Sequence, residues 1–247
     1  NPLAPFVTAN ENSRENIWVI PYDEDTYQGF NLHMRTLHYN SNLTFDMQAG
    51  PWNGAAVVYD HFNTYEEDDR RREGFLYGPQ FTSGGQPIID AGANNAPLNF
   101  NPYIPSLVMR AGYTPSEIRM SGARVVKFEI ATGAKENLSN DFPIFRYADI
   151  LLMKAEALIR LGQNGDHYVN LIRSRAGVDP WTNVTLEMLL AERGREMFWE
   201  GHRRQDLIRF GAFNRAWWEK PASDPSRNIF PIPQWVIDTN PNLGPQT

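Results

Sequence analysis

Cysteine is absent from the 247 residues. Disulfides, thiolate metal sites and a thiol nucleophile are therefore excluded. No apolar run approaches the ~18–20 residues that a membrane-spanning helix needs. The opening "NPLAPFVTAN" has neither the basic start nor the apolar segment of a signal peptide. Cations are not in excess either: 23 Lys and Arg face 29 Asp and Glu, for a net charge of −6. They are interleaved with the acids, whereas a nucleic-acid partner demands a concentrated positive field. The one Gly-rich loop, "TSGGQP" (82–87), lacks the following helix and the Lys-Ser/Thr of a phosphate cradle and reads as a turn. The histidines at 33, 38, 61, 167 and 202 are scattered, and no pair has the i, i+4 spacing of a helical zinc site. "DED" at 23–25 lacks the Gly and the bidentate Glu of a calcium loop. No metal and no cofactor is expected.

What remains is a globular composition, 41% hydrophobic and 13% aromatic with 21% charge. Residues 1–16 read as an extended lead-in, and "NIWVIPYD" gives a short buried strand at Ile17–Ile20, stopped by Pro21. From Tyr22 to about Pro105 no helical period holds, and the segment is dense in Gly, Pro, Asn and aromatic residues. So long an irregular stretch inside a compact protein is usually functional, or else a misreading of its elements. "RVVKFEI" (124–130) alternates, predicting a strand with Val126, Phe128 and Ile130 on one side.

After Pro143 the pattern turns helical. "DILLMKAEALIRLG" (149–162) stops at Gly162, and "DHYVNLIRSRAG" (166–177) follows at once, with Asp166 as N-cap and Gly177 as stop. Helices joined so tightly form an antiparallel hairpin. A third helix opens at the N-cap Thr185 and presents Leu186, Leu189, Leu190, Arg193, Met197 and Phe198 on one face. "RRQDLIRFGAF" makes a further short helix. The Pro-rich tail is expected to be an irregular packed strap held by Phe230, Ile232, Trp235 and Val236. Trp217 and Trp218 are expected to pack as well. Ala155 and Ala157, at close-approach positions, resemble those of tetratricopeptide-type hairpins. A single hairpin is too few for a stacked array, which suggests that the chain begins within a longer protein.

In order and spacing, "FPIFRYADILLMKAEALIRLG", "LIRSRAGV", "ERGREMFWEGHRRQDLIRFG" and "FPIPQWVIDTNPNL" resemble the C-terminal half of the SusD/RagB family, surface lipoproteins of Bacteroidota. The resemblance is strong over residues 142–243. It continues more loosely upstream through "ENIWVIPYD", "GPWNG", "DDRR" and "GARVVKFE". It implies a mainly α, SusD-like fold of tetratricopeptide-related helical hairpins with long loops and a few short strands. Residues 1–141 would form a loop-rich binding region and 142–247 a helical scaffold with a packed tail. It further implies non-enzymatic capture of a glycan at the outer face of the outer membrane, for delivery to a SusC-like TonB-dependent transporter. A peptide ligand is the alternative within the family, and a glycoside hydrolase or its accessory subunit a remoter one. The family's N-terminal half, with its lipidated cysteine, is not in this sequence, and the ending "LGPQT" departs from the family's Gln-Asn-Pro-Gly-Tyr kind of ending.

On this reading the charges of residues 192–209 are framework, with Glu192 pairing Arg195, and Glu200 pairing Arg203 or Arg204, at i, i+3 and i+4. Acids that residue type alone would allow as a catalytic pair are Asp23, Asp25, Asp60 and the run Glu66–Asp69. No catalytic residue is assigned among them, because "EEDDRRR" reads as a run of compensating charges. Recognition is expected from loop aromatics. A sugar ring offers a C–H face to an aromatic platform and an edge of hydroxyls to planar polar groups. In "GPWNG" (50–54), glycines flank a tryptophan in a turn that would hold its indole outward. Trp52 is therefore the first candidate. Tyr27 and Phe30 follow, with Asn53 and His33 as hydrogen-bonding partners.

Overall fold

The computed structural model describes residues 1–240, 242 and 243. Its elements in chain order are β1 (Asn16–Ile20), α1 (Leu32–Thr36), α2 (Asn42–Phe45), α3 (Tyr59–Phe62), β2 (Phe75–Leu76), β3 (Gly78–Pro79), β4 (Ile89–Asp90), β5 (Ala96–Pro97) and β6 (Asn99–Phe100). There follow α4 (Pro115–Met120), β7 (Arg124–Val125), β8 (Phe142–Arg146), α5 (Tyr147–Arg160), α6 (Asp166–Ala176), α7 (Leu186–Glu196), α8 (Arg203–Arg209) and α9 (Gln234–Thr239). The strands form antiparallel pairs, β1 with β8, β2 with β7, β3 with β6 and β4 with β5. Helices dominate, as the sequence leads one to expect. Residues 1–203 make one compact unit and 204–247 a second. The change of character at residue 141 thus falls inside the first unit, where β1 and β8 pair across it.

In the first unit the long helices arise where the sequence places them. α5 and α6 turn back on each other through Gly165, at which a Cβ would lie 2.9 Å from the Ala155 carbonyl, so only glycine permits this approach. Ala155 is fully buried at the contact, but Ala157 is exposed. Gly165 itself is the N-cap of α6, and Asp166 does something else: its carboxylate accepts from the backbone N–H of Asn183 and Val184, each at 2.8 Å, tying the start of α6 to the loop before α7. Thr185 caps α7 as expected, its hydroxyl accepting from Met188 N–H.

Two expectations for strands need correction. β1 forms, yet Ile17, Trp18 and Ile20 are exposed, because β1 pairs only with β8 in a two-stranded sheet and the Phe145 ring beside Trp18 is itself exposed. The 124–130 strand is only two residues long. Phe128 and Ile130 are buried, but so is Lys127 just before them, whose ammonium donates to the carbonyls of Glu196 and Phe198 and to Glu200. A buried cation that needs three acceptors bends the chain out of a regular ladder.

An aromatic core of Phe6, Phe30, Met34, Leu37, Phe128 and Ile130 underlies the irregular front part, with ring centroids 5.0 Å apart for Phe6 and Phe128 and 4.9 Å for Phe30 and Phe128. Beside it lies a buried charge network. Glu192 pairs with Arg195, as the spacing predicts, and also with Arg71 and Arg173. Glu200 pairs with Lys127 and Arg146 rather than with the neighbouring Arg203 or Arg204. Glu196 joins Arg71, Arg146 and Arg175. Apart from Arg195, the partners come from residues 71–175, far away in sequence, because buried carboxylates take whichever cation the fold brings inside. Burial alone would raise the pKa of each glutamate, but Arg71 and Arg195 hold Glu192 below the usual range, and Arg146 and Lys127 do the same for Glu200.

His61 stacks on Phe198 with centroids 4.6 Å apart, and burial followed by the charges of Arg203 and Arg195 pushes its pKa down to about 4. In the pH window from about 6.5 down to 4 the unfolded chain binds the proton that the folded chain refuses, so stability falls as pH falls. Replacing His61 with Phe is expected to reduce the loss of unfolding free energy across that window by about 2 kcal/mol. Urea titrations at both ends of the window read this directly, and identical slopes for variant and parent would refute it.

In the second unit, the tail is not an irregular strap. Residues 225–228 form a 3-10 turn begun by Pro225, whose fixed φ suits a first turn, and Gln234–Thr239 a short helix that follows Pro233 at its N-cap. Phe230 and Trp235 are 80% and 70% exposed, Ile232 and Trp217 are exposed too, and Trp218 is half-buried. The Arg204 guanidinium lies 5.1 Å from the Phe213 ring and 4.2 Å from that of Phe230. The ending "LGPQT" lies, apart from Leu243, outside the described residues.

Candidate ligand-binding site

The loop carrying Trp52 is laced to the end of α1. Trp52 N–H donates to Met34 O at 2.7 Å, Asn53 N–H to Leu37 O at 2.9 Å, and Gly54 and Ala55 N–H both to Arg35 O. A Cβ at Gly54 would stand 3.2 Å from that same carbonyl, and Asn53 takes a left-handed φ of 51° that asparagine tolerates. The backbone is thus fixed through four hydrogen bonds while the indole stays 41% exposed, with the Arg35 guanidinium 5.6 Å from its centroid. A rigid, half-open ring is what a stacking platform requires.

Tyr27 is 70% exposed on a tight loop closed by reciprocal backbone bonds with Asp23. The Asp23 carboxylate accepts from the Thr26 hydroxyl and from the N–H of Thr26 and Asp25, and these bonds hold its pKa below the usual range. Lys135 pairs with Glu24 and Asp25, anchoring the loop.

The other candidates prove to be supports. Phe30 is 3% exposed, packed edge to face against Phe128 and Tyr22, and is corrected from ligand contact to core. His33 is buried with Nε2 3.1 Å from Lys135 O, and burial lowers its pKa, so it pins the loop and faces no ligand. Asn53 is half-buried with both ends of its amide engaged, Nδ2 donating to Arg119 O and Oδ1 accepting from Arg124. It shapes the turn beneath Trp52. Arg124 itself is buried among carbonyls, which brings its pKa down to about 10.

Sequence reasoning missed two neighbours. Tyr39 is exposed beside this loop: its carbonyl faces Gly50, and the Arg119 guanidinium, paired with Asp90 at 2.6 Å, lies 4.8 Å from its ring. Arg35 is the second. Both contacts join residues distant along the chain, and no local motif signals them. The acids weighed for catalysis are otherwise occupied: Glu66 pairs with Arg173, Asp69 with Arg71, Asp25 with Lys135, and Asp23 caps its own turn. Asp60 lies exposed in the first turn of α3.

The SusD family model matches residues 111–246, more than half of the chain, and the chain belongs to the SusD family. It is 36% identical over 113 residues to the starch-binding protein SusD of Bacteroides thetaiotaomicron, a match spanning 42% of this chain and 20% of that protein. With SusD-like protein P25 of Formosa agariphila the identity is 30% over 139 residues, 49% of this chain and 26% of the relative. Its fold also matches surface glycan-binding protein A of B. thetaiotaomicron solved in complex with laminarihexaose, at a TM-score of 0.68 and 25% identity, over 97% of this chain and 53% of that one. The chain therefore spans about half the length of that solved relative and a smaller share of the curated ones.

Proposed function

We propose that this chain is the recognition-bearing half of a non-enzymatic glycan-capture protein. The observation that carries the reading is the Trp52 indole, held half-exposed on a backbone that four hydrogen bonds make rigid, in a chain of the SusD family. Tyr27 and Tyr39 supply further exposed rings, and Arg35 offers donors to sugar hydroxyls. Each stack contributes on the order of 1 kcal/mol, so several rings must act together on an oligomer. A starch-binding name in one relative and a laminarihexaose complex in another support a neutral glucan as the first ligand to try.

The whole protein would sit at the outer face of the outer membrane through a lipid anchor on its N-terminal part. It would pass its ligand to a SusC-like TonB-dependent transporter. Among the described residues no helix is long and apolar enough to cross a membrane. Cleavage of the glycan would fall to other proteins.

The test is a binding screen of oligosaccharides and peptides by calorimetry, with chromatography of the recovered ligand. Binding of a glycan that is recovered intact is expected. Hydrolysis that disappears with Asp60→Asn, or binding confined to peptides, would overturn the reading.

A further inference from the structure

Of the three arginines in the charge run at residues 66–73, only Arg71 is ion-paired among the described residues. Within the 3-10 helix Arg70–Gly74, Arg71 turns inward to Asp69, Glu192 and Glu196. Arg72, the next residue, turns the other way. Its guanidinium lies against two rings, 4.9 Å from the Phe62 centroid and 5.5 Å from that of Tyr77, and these rings meet edge to face at 5.1 Å. Acidic residues crowd the local sequence, yet none reaches ion-pair distance of Arg72 among the described residues. Its Nε is enclosed without a hydrogen-bond partner, and it is the only nitrogen of this guanidinium so enclosed.

A guanidinium held against two aromatic rings, with its Nε enclosed, has lost part of its freedom before any ligand arrives, and its remaining nitrogens present paired donors suited to a planar carboxylate. The surroundings suit a sugar. Tyr77 is exposed, and one helical turn before Phe62 in α3 stands Tyr59, whose ring meets exposed Tyr103 at 5.5 Å. The exposed Tyr77 phenol against this guanidinium, with the exposed Tyr103 ring near the same helix, matches a pyranose that carries a carboxylate.

We propose that Arg72, with Phe62 and Tyr77, forms a second subsite that selects the carboxylate of an acidic sugar. The proposal rests on the glycan reading but not on Trp52. A charge-assisted bidentate contact predicts about tenfold tighter binding of the acid than of its neutral ester.

The test is calorimetric titration with an oligogalacturonate and with the same oligomer fully methyl-esterified, at low salt, on the parent chain, Arg72→Gln, Arg72→Lys and Trp52→Ala. The parent is expected to prefer the acid about tenfold. Arg72→Gln should abolish the preference, Arg72→Lys should lose most of it, and Trp52→Ala should retain it. If Arg72→Gln does not fold, the acid-to-ester ratio of the parent and of Arg72→Lys still decides. Equal binding of acid and ester by the parent overturns the subsite while leaving glycan capture intact. Binding of acidic peptides with no binding of either oligomer overturns both.

Discussion

Truncating Arg146 to Ala is expected to lower the unfolding free energy by about 3–5 kcal/mol, the range for removing one partner from a buried ion pair. Its guanidinium is fully buried, with Nε and Nη2 on the two oxygens of Glu200 at 2.6 and 2.7 Å and Nη1 on Glu15 and Glu196 at 2.7 Å each. Without it Glu200 keeps only Lys127, and Glu196 loses one of three cations deep in the fold. The penalty comes from the carboxylates left behind, not from any large net worth of the pair. Arg146→Met paired with Glu200→Gln should therefore be milder than Arg146→Ala alone. Urea denaturation of the three proteins checks this. A loss below about 1 kcal/mol for Arg146→Ala would place the network on the solvated surface, where such pairs contribute little.

Much of the frame was legible in the sequence, because helices are specified locally. Gly162, Gly177 and Thr185 mark ends that the structure reproduces, and the apolar stripe of α5 needed no partner to be read. The charges of 192–200 were legible in role but not in pairing. Spacing finds Glu192 with Arg195, but only the fold brings Arg146 and Lys127 to Glu200. Sequence assigned burial to β1 because its residues are apolar, but burial depends on what packs against a strand, and Ile17 and Trp18 stayed exposed. The candidate site divides in the same way. Glycines on both sides of Trp52 imply an open ring, and it is open, as is that of the loop residue Tyr27. Phe30 and His33 share the same composition of neighbours, yet Phe128 and Lys135, about a hundred residues later, cover them.

Loop rings on an inert frame are the central claim, and Trp52→Ala isolates it. The side chain is half-exposed and its loop is held by backbone bonds, so the melting temperature should stay close to that of the parent. Affinity should fall roughly thirty- to a hundredfold, the effect of truncating a central aromatic anchor by about 2–3 kcal/mol. Trp52→Phe, which keeps a smaller platform, should lie between. Calorimetric titration of parent and Trp52→Ala with a glucan oligomer, each with a thermal melt, decides the matter. An intact fold with most of the affinity gone is the predicted result; undiminished binding by a well-folded Trp52→Ala chain would contradict it.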